Sequence, residues 1–470
     1  MTAPTKTLLN KIKSGVEQAI QKSKDQNIDI ILLCSFPFES DDLLPVLTHP
    51  ADRDVTRIYW EQPSKQFTIA GLGAARVFNF CNSKDFHQIN KEITSCMNNF
   101  VSCDEDNTTP FILGGHAFNL SAKPDKTWSN FPRGRFILPE CLAEHENGSG
   151  KLIISRVVKP DDKQKSLFEE FYRTCIHYTN RLPVTLPPIQ YIPVDKYREN
   201  PDWPSYKKTI CSVLKKIKPG LVDKVVISRS HHVRVDGKFK AISALQVLRS
   251  TYHGCTSFMF SFPGEGIFFG STPELLINKE GSLIKTEALA GTMGRGRNME
   301  EDRLLMENLM DSHKEREEHT FVIDQIRRKL EPLVSILEVE DTPGILKLKN
   351  VHHLRTEIKG KLENGKNILD LIQQLHPTPA VAGTPTEKAM NIIRQYETHD
   401  RGWYSGPVGW IDKNGDGEFC VALRSALVNK EEAHVFAGGG IMAESVPENE
   451  WKESELKLMP VISALSGGQI

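Results

Sequence analysis

The chain has 470 residues, 39% of them hydrophobic and 25% charged, and a formal net charge of −1. Those values fit a soluble globular protein of two or three average domains, or one large α/β or α+β unit. They argue against nucleic acid or an anionic membrane as partner, because both reward a basic surplus.

The opening stretch, MTAPTKTLLNKIKSGVEQAI, reads as an amphipathic helix and lacks the long apolar core and small-residue cleavage site of a signal peptide. No segment has the length and apolarity of a transmembrane span. Nine cysteines, scattered singly from Cys34 to Cys420 without a CxxC pair, form neither a disulfide framework nor a thiolate zinc site. The expected location is therefore cytoplasmic, and the sequons at Asn107, Asn119 and Asn147 read as incidental. Up to about residue 180, apolar runs such as IDIILLCSFPF and PFILGGHAF predict strands but carry no chemical motif. A proline-rich passage over 181–204 is extended or linker-like, because proline is excluded from helix interiors and sheet centres. Strands follow in DKVVISRSHHVRV, SFMFSFP, GIFFGSTPELLI and SLIKTEALAGT. A long helix is expected from about Met299 to Leu337 and another over Thr386–Tyr396. Then come a hairpin, WYSGPVGWID-KNGDGE-FCVALRSALV, and a last helix from Pro447 to Leu465. Strand runs mixed with long helices point to α+β with large sheets.

At 3.6 residues per turn Asp311, Glu315 and Glu318 share a stripe with Val322, Ile326 and Leu330. A solvated face is the ordinary reading of a charge run. Carboxylates that extend a core-facing stripe must instead be paired or coordinate an ion. His313 and His319 are six apart, off the HExxH spacing of a zinc helix. Carboxylate oxygens alone suit a hard cation such as Mg²⁺. On the last helix Glu450, Glu453 and Lys457 lie on one face behind a capping-box spacing, Ser445 to Glu448. DKNGDGE resembles the start of a calcium loop, but Leu423 stands where a bidentate glutamate is needed, so it predicts a tight turn. FAGGGIM, between a strand and the last helix, is expected to offer backbone N–H groups to an anion. Arg424 reads as buried on an apolar strand, facing either a carboxylate ligand or a structural salt bridge. Lys224 and Glu274 each open an apolar strand, where burial favours the uncharged form needed in a base or an acid. Strand-end charges are more often solvated. The polar, glycine-rich stretch 291–302 is expected to be mobile, as a lid would be.

Taken together, KVVISR, FFGSTPELLI, TEALAGTMGRG, KEREEHTFVIDQI, VHHLRTEIKGKL, LHPTPAVAGTP, RGWYSGPVGW, FCVALRSA and AGGGIMAESVPENEWKESELK resemble the chorismate-utilising enzymes, a family of isochorismate, salicylate, anthranilate and aminodeoxychorismate synthases. The resemblance spans residues 205–468, with 1–204 completing one fold over 1–470. It implies an α+β fold of two large, mostly antiparallel sheets packed together with helices outside. It also implies a Mg²⁺-dependent enzyme. Glu318 and Glu453 would bind the metal, supported through water by Glu315 and Glu450. Arg424 and Tyr404, with backbone of a Gly438–Gly439–Gly440 turn, would take the enolpyruvyl carboxylate, while Gly291, Thr292, His353 and Lys457 line the site.

Three residues choose among members. Lys224 matches the water-activating lysine of the isochorismate and salicylate branch. Ala290 replaces the lysine of aminodeoxychorismate synthases, and Ala380 stands where ammonia users and salicylate synthases tend to carry threonine. The implied activity is that of an isochorismate synthase, an isomerase: Lys224 activates water for attack at C2 of chorismate, and Glu274 protonates the departing C4 hydroxyl. No glutamine amidotransferase subunit is expected, and the protein would be a monomer or homodimer. The alternatives are a salicylate synthase, an ammonia-using synthase component, and a silent relative that binds a metabolite or partner.

Overall fold

In the strand Thr256–Phe262, Phe258 and Phe260 pack in the same apolar core as Leu113 and Phe136, while Met259 packs with Leu245 and Leu248 of the helix Ala241–Thr251. Ile30–Pro37 repeats the pattern: Ile31 and Leu33 face the first core, Ile30 and Leu32 the second. Period-two alternation of this kind places a sheet between two apolar layers. In the computed structural model, residues 6–49, 54–104, 108–180, 185–190, 192–194, 197–235, 237–349, 351–363 and 365–468 are described. Asn107 and parts of the proline-rich passage lie outside them. Among the described residues one sheet has 13 strands and the other 10. The parallel pair is Ile30–Pro37 with Phe100–Ser102; Lys224–Arg234 against Glu432–Ile441 is typical of the antiparallel remainder. The chain is thus α+β with two large sheets and flanking helices. Strands from the first 160 residues enter both, for example Arg57–Gln62 in the larger and Phe111–His116 in the smaller.

Three local expectations are corrected. The helix expected from Met299 to Leu337 is two, Met299–Asp311 and His313–Leu330, followed by the strand Val334–Val339. Ser312 leaves helical geometry and caps the second helix by accepting from the Glu315 N–H, and Pro332 lies in the turn that ends it. Asp311 therefore belongs to the preceding helix and is exposed, off the stripe of Val322, Ile326 and Leu330, which is buried. The capping box is absent too: Val446 is the N-cap of Pro447–Leu465, and the Ser445 hydroxyl accepts from the Met442 N–H at 3.1 Å.

The third correction concerns FCVALRSALV. It is two strands in different sheets, Gly417–Val421 in the smaller and Ser425–Asn429 in the larger. Arg424 sits at the crossing with φ of +46°, not on a strand. The chain also crosses between Gly266–Thr272 in the larger sheet and Leu275–Glu280 in the smaller, which places Glu274 at that corner. The corners are bonded together, Val421 N–H to Glu274 O at 3.0 Å and Thr272 hydroxyl to Val421 O at 2.6 Å.

Candidate active site

Beside these crossings lies a pocket lined by Lys224, Glu274, Gly291, Thr292, Glu315, Glu318, His353, Ala380, Tyr404, Arg424, Gly438, Gly440, Glu450, Glu453 and Lys457. Of the catalytic, substrate-binding and metal-binding residues expected from sequence, all except Gly439 line it. Gly439 alternates with its neighbours and faces the other way along the strand, where an added Cβ would lie 3.4 Å from Glu450 Oε2. The glycine turn is not formed. Gly438, Gly439 and Gly440 lie within the strand Glu432–Ile441, paired with Ser228, Ile227 and Val226. Their role is space: a Cβ at Gly440 would come within 2.6 Å of Lys224 Cε, and one at Gly438 within 3.2 Å of the Tyr404 hydroxyl.

Lys224 is 2% exposed, and its Nζ donates to Glu318 Oε1 at 2.6 Å. Lys457 donates to Glu453 Oε1 at 2.6 Å and to Gly438 O at 3.1 Å. Glu315 accepts from the Thr292 N–H at 2.8 Å. The Thr292 hydroxyl lies 3.1 Å from His353 Nδ1, which is also 3.2 Å from Gly291 O. Burial, reinforced by Arg424 and Lys457, depresses the His353 imidazole to about 3, so it is neutral. Burial pushes the Glu274 carboxyl up to about 7, against the pull of Lys224, Lys457 and the Thr378 hydroxyl. Burial, with Glu453 beside it, lifts Glu450 to about 7. Glu315 is raised by burial and then by Glu318. Arg424 is 8% exposed, and its buried Nη1 has no hydrogen-bond partner. A buried, unpaired guanidinium nitrogen beside a pocket is a receptor for an anion, carboxylate foremost.

The larger-sheet wall is pinned by a residue the sequence reading overlooked. Arg401, 2% exposed, donates to Glu397 through Nε at 2.9 Å, to Val381 O at 2.7 Å and to Val226 O at 2.8 Å. Glu397 also accepts from the Ser228 N–H at 2.7 Å. The pair therefore fixes the Lys224 strand against the loop bearing Ala380. Arg401→Ala strands Glu397 in the interior and is expected to cost about 3–5 kcal/mol of stability, read as a lower urea midpoint. An unchanged midpoint would show that this ion pair does not hold the wall.

The family model for the chorismate binding enzyme matches residues 17–466. The isochorismate synthase MenF of Bacillus subtilis is 32% identical, over 98% of this chain and 99% of its own. The salicylate biosynthesis isochorismate synthase of Pseudomonas aeruginosa is 30% identical, over 99% and 96%. The chain belongs to the chorismate-binding enzyme family. The solved structure of MenF from Escherichia coli superposes with a TM-score of 0.78 at 25% identity, covering 97% of this chain and all of that one (100%). Anthranilate synthase component I of Streptococcus pneumoniae, 20% identical, shares the fold with a TM-score of 0.70 over 84% of this chain and 92% of its own.

Within this member of the family, five carboxylates face the lysines 224, 314 and 457 and Arg424 across one pocket. Lys314, also overlooked from sequence, is held charged: burial opposes this, but Glu315, Glu450, Glu318 and Glu453 outweigh it. Its signal was its place beside Glu315 in the first turn of the helix His313–Leu330. Oxygen-only donors from two helices, two of them destabilised by burial and mutual repulsion, fit a hard divalent cation that completes its shell with water and ligand oxygens. The stretch expected to act as a lid is strand as far as Gly294, and Arg295 then binds Asp302 at 2.7 Å and Leu348 O at 2.7 Å.

Proposed function

We propose that this enzyme is a Mg²⁺-dependent isochorismate synthase. The observation that carries this reading is the placement of Lys224, on the larger sheet, and Glu274, at a corner between the sheets, in one pocket with the unpaired Nη1 of Arg424. Chorismate has two carboxylates. Arg424, with the Tyr404 hydroxyl, is suited to the enolpyruvyl one; Glu318 and Glu453, supported by Glu315 and Glu450, would hold the ion that faces the ring carboxylate. When bound, that ion supplies charge neutralisation and fixes the orientation of the ring. Lys224 accepts a proton from the water that attacks C2, the ring double bonds shift, and the C4 hydroxyl leaves with a proton from Glu274. To reach that water Lys224 must leave its 2.6 Å bond to Glu318, one of the carboxylates that would hold the ion. Glu274 is prepared for the opposite role, since a carboxyl that titrates at about 7 still carries a proton near neutrality.

We read the protein as cytoplasmic and as acting without a glutamine amidotransferase subunit; among the described residues no helix is long and apolar enough to cross a membrane. Chromatography of the products from chorismate and Mg²⁺, with and without ammonium, tests the proposal. Isochorismate alone, in partial equilibrium with chorismate and abolished by EDTA, is expected. Salicylate with pyruvate would move the enzyme to the lyase branch. A product formed only with ammonium would remove water as nucleophile, and no turnover would leave a silent binding relative.

A further inference from the structure

The parallel pair Ile30–Pro37 and Phe100–Ser102 forms the edge of the larger sheet remote from the Lys224 strand, with Leu33 beside Ser102. The next step of that register sets Cys34 beside Cys103. Hydrogen bonds bracket the step on both sides: the Cys103 N–H donates to Leu33 O at 2.8 Å, and the Ser35 N–H donates to Asp104 Oδ2 at 2.6 Å. Adjacent strands lie about 4.8 Å apart, within the roughly 4.4–6.8 Å between Cα atoms that a disulfide spans. Both side chains face the same apolar core, where Cys34 is buried and Cys103 partly exposed. A third thiol, Cys175 of the helix Gln164–Thr179, is buried in that core as well. The Cys103 sulfur lies under the helix Lys6–Gln26 at Gly15, where an added Cβ would collide with it. Glycine weakens a helix interior, and here it admits the sulfur.

From this we infer an oxidative modification site: Cys34 and Cys103 form a reversible disulfide when the protein meets a peroxide. Cys103, the accessible member, takes one oxygen from the peroxide to become a sulfenic acid, and one water leaves. The Cys34 sulfur then attacks the Cys103 sulfur, and the displaced hydroxide departs with the Cys34 proton as a second water. Two thiols give up two electrons and two protons, and one hydrogen peroxide becomes two waters. A small dithiol reverses the step by thiol–disulfide exchange and is itself oxidised. Cys34 is prepared for the attack. It accepts from the thiols of Cys103 and Cys175, and these contacts, aided by Lys11, hold its own thiol below the usual range against the effect of burial. Lys11 is anchored beside Cys103 by its ion pair with Asp104. The bridge would tie the edge strand, only three residues long, to its neighbour.

The test treats the full chain with a small excess of hydrogen peroxide, alkylates the remaining thiols in denaturant and maps the peptides by mass. A linked pair of peptides carrying Cys34 and Cys103 is expected, lighter than the sum of the two by two hydrogens and separated again by dithiothreitol. The bridge closes the loop between residues 34 and 103 in the unfolded chain, so the oxidised protein should show a higher urea midpoint than the reduced one. Cys103→Ser, a change at a partly exposed position, should lose both the linked pair and the rise in midpoint. Cys175→Ser should keep the linked pair. A wild-type chain that links Cys34 to Cys175 instead would overturn the assignment. So would Cys103 driven on to the sulfinic acid while Cys34 stays alkylatable, or a midpoint that rises equally in Cys103→Ser. Among the described residues eight strands of the larger sheet lie between the Lys224 strand and Ile30–Pro37, and none of these readouts depends on turnover of chorismate.

Discussion

Lys224→Ala is expected to lower turnover of chorismate by about 10²–10⁴-fold, the range for loss of a general base, while chorismate and Mg²⁺ still bind. The lysine makes one side-chain contact of consequence, the 2.6 Å bond to Glu318, and its Cε lies against the glycine strand at Gly440. Truncation therefore removes the proposed proton acceptor and leaves the guanidinium of Arg424 and the carboxylates of Glu315, Glu318, Glu450 and Glu453 in place. Product chromatography measures the rate, and calorimetric titration of chorismate with Mg²⁺ measures binding. Near-full turnover in the variant would remove Lys224 from the mechanism. Lost binding with the rate per bound substrate unchanged would make it a positioning residue.

Glu274→Gln should cost a similar factor, about 10²–10⁴-fold, and should also change the pH profile. The carboxyl is 6% exposed, and burial moves it up to about 7. A proton donor serves only while protonated, so the wild-type rate should fall as pH rises through about 7. Glutamine fills the same space, keeps a contact for the Thr378 hydroxyl and does not titrate, so the alkaline limb should vanish along with most of the activity. If kcat/KM of the variant keeps that limb, another group sets it. If the rate is unchanged, the leaving hydroxyl takes its proton from elsewhere.

The carboxylate stripe was legible because helical periodicity is local: Glu315 and Glu318 precede Val322, Ile326 and Leu330 at the helix repeat, and burial of those three aims the glutamates inward. The helix Thr386–Tyr396 was legible for the same reason. Periodicity is blind to a change of sheet. FCVALRSALV reads as one continuous apolar strand, so the corner at Arg424, where its Nη1 stays unpaired, became visible only in three dimensions. The glycines of FAGGGIM were misread as a turn because a strand can carry three glycines when its neighbours are bulky; here the side chains of Lys224 and Tyr404 take the space. Arg401 gave no signal at all. Its three partners, Val226, Val381 and Glu397, come from the Lys224 strand, the Ala380 loop and the preceding turn, and no spacing rule joins them.

Glu274 and Arg424 ride on corners where the chain changes sheets, while Lys224 belongs to the larger sheet alone. The gap between Glu274 and Lys224, the proposed acid and base, therefore depends on the apolar layer between the sheets, where Phe258, Phe268 and Trp403 lie. That layer would act as a spacer gauge for the proposed reaction. Slimming it by a methylene or two would be felt in the alignment of proton donor and acceptor, through catalytic rate, well before the sheets came apart.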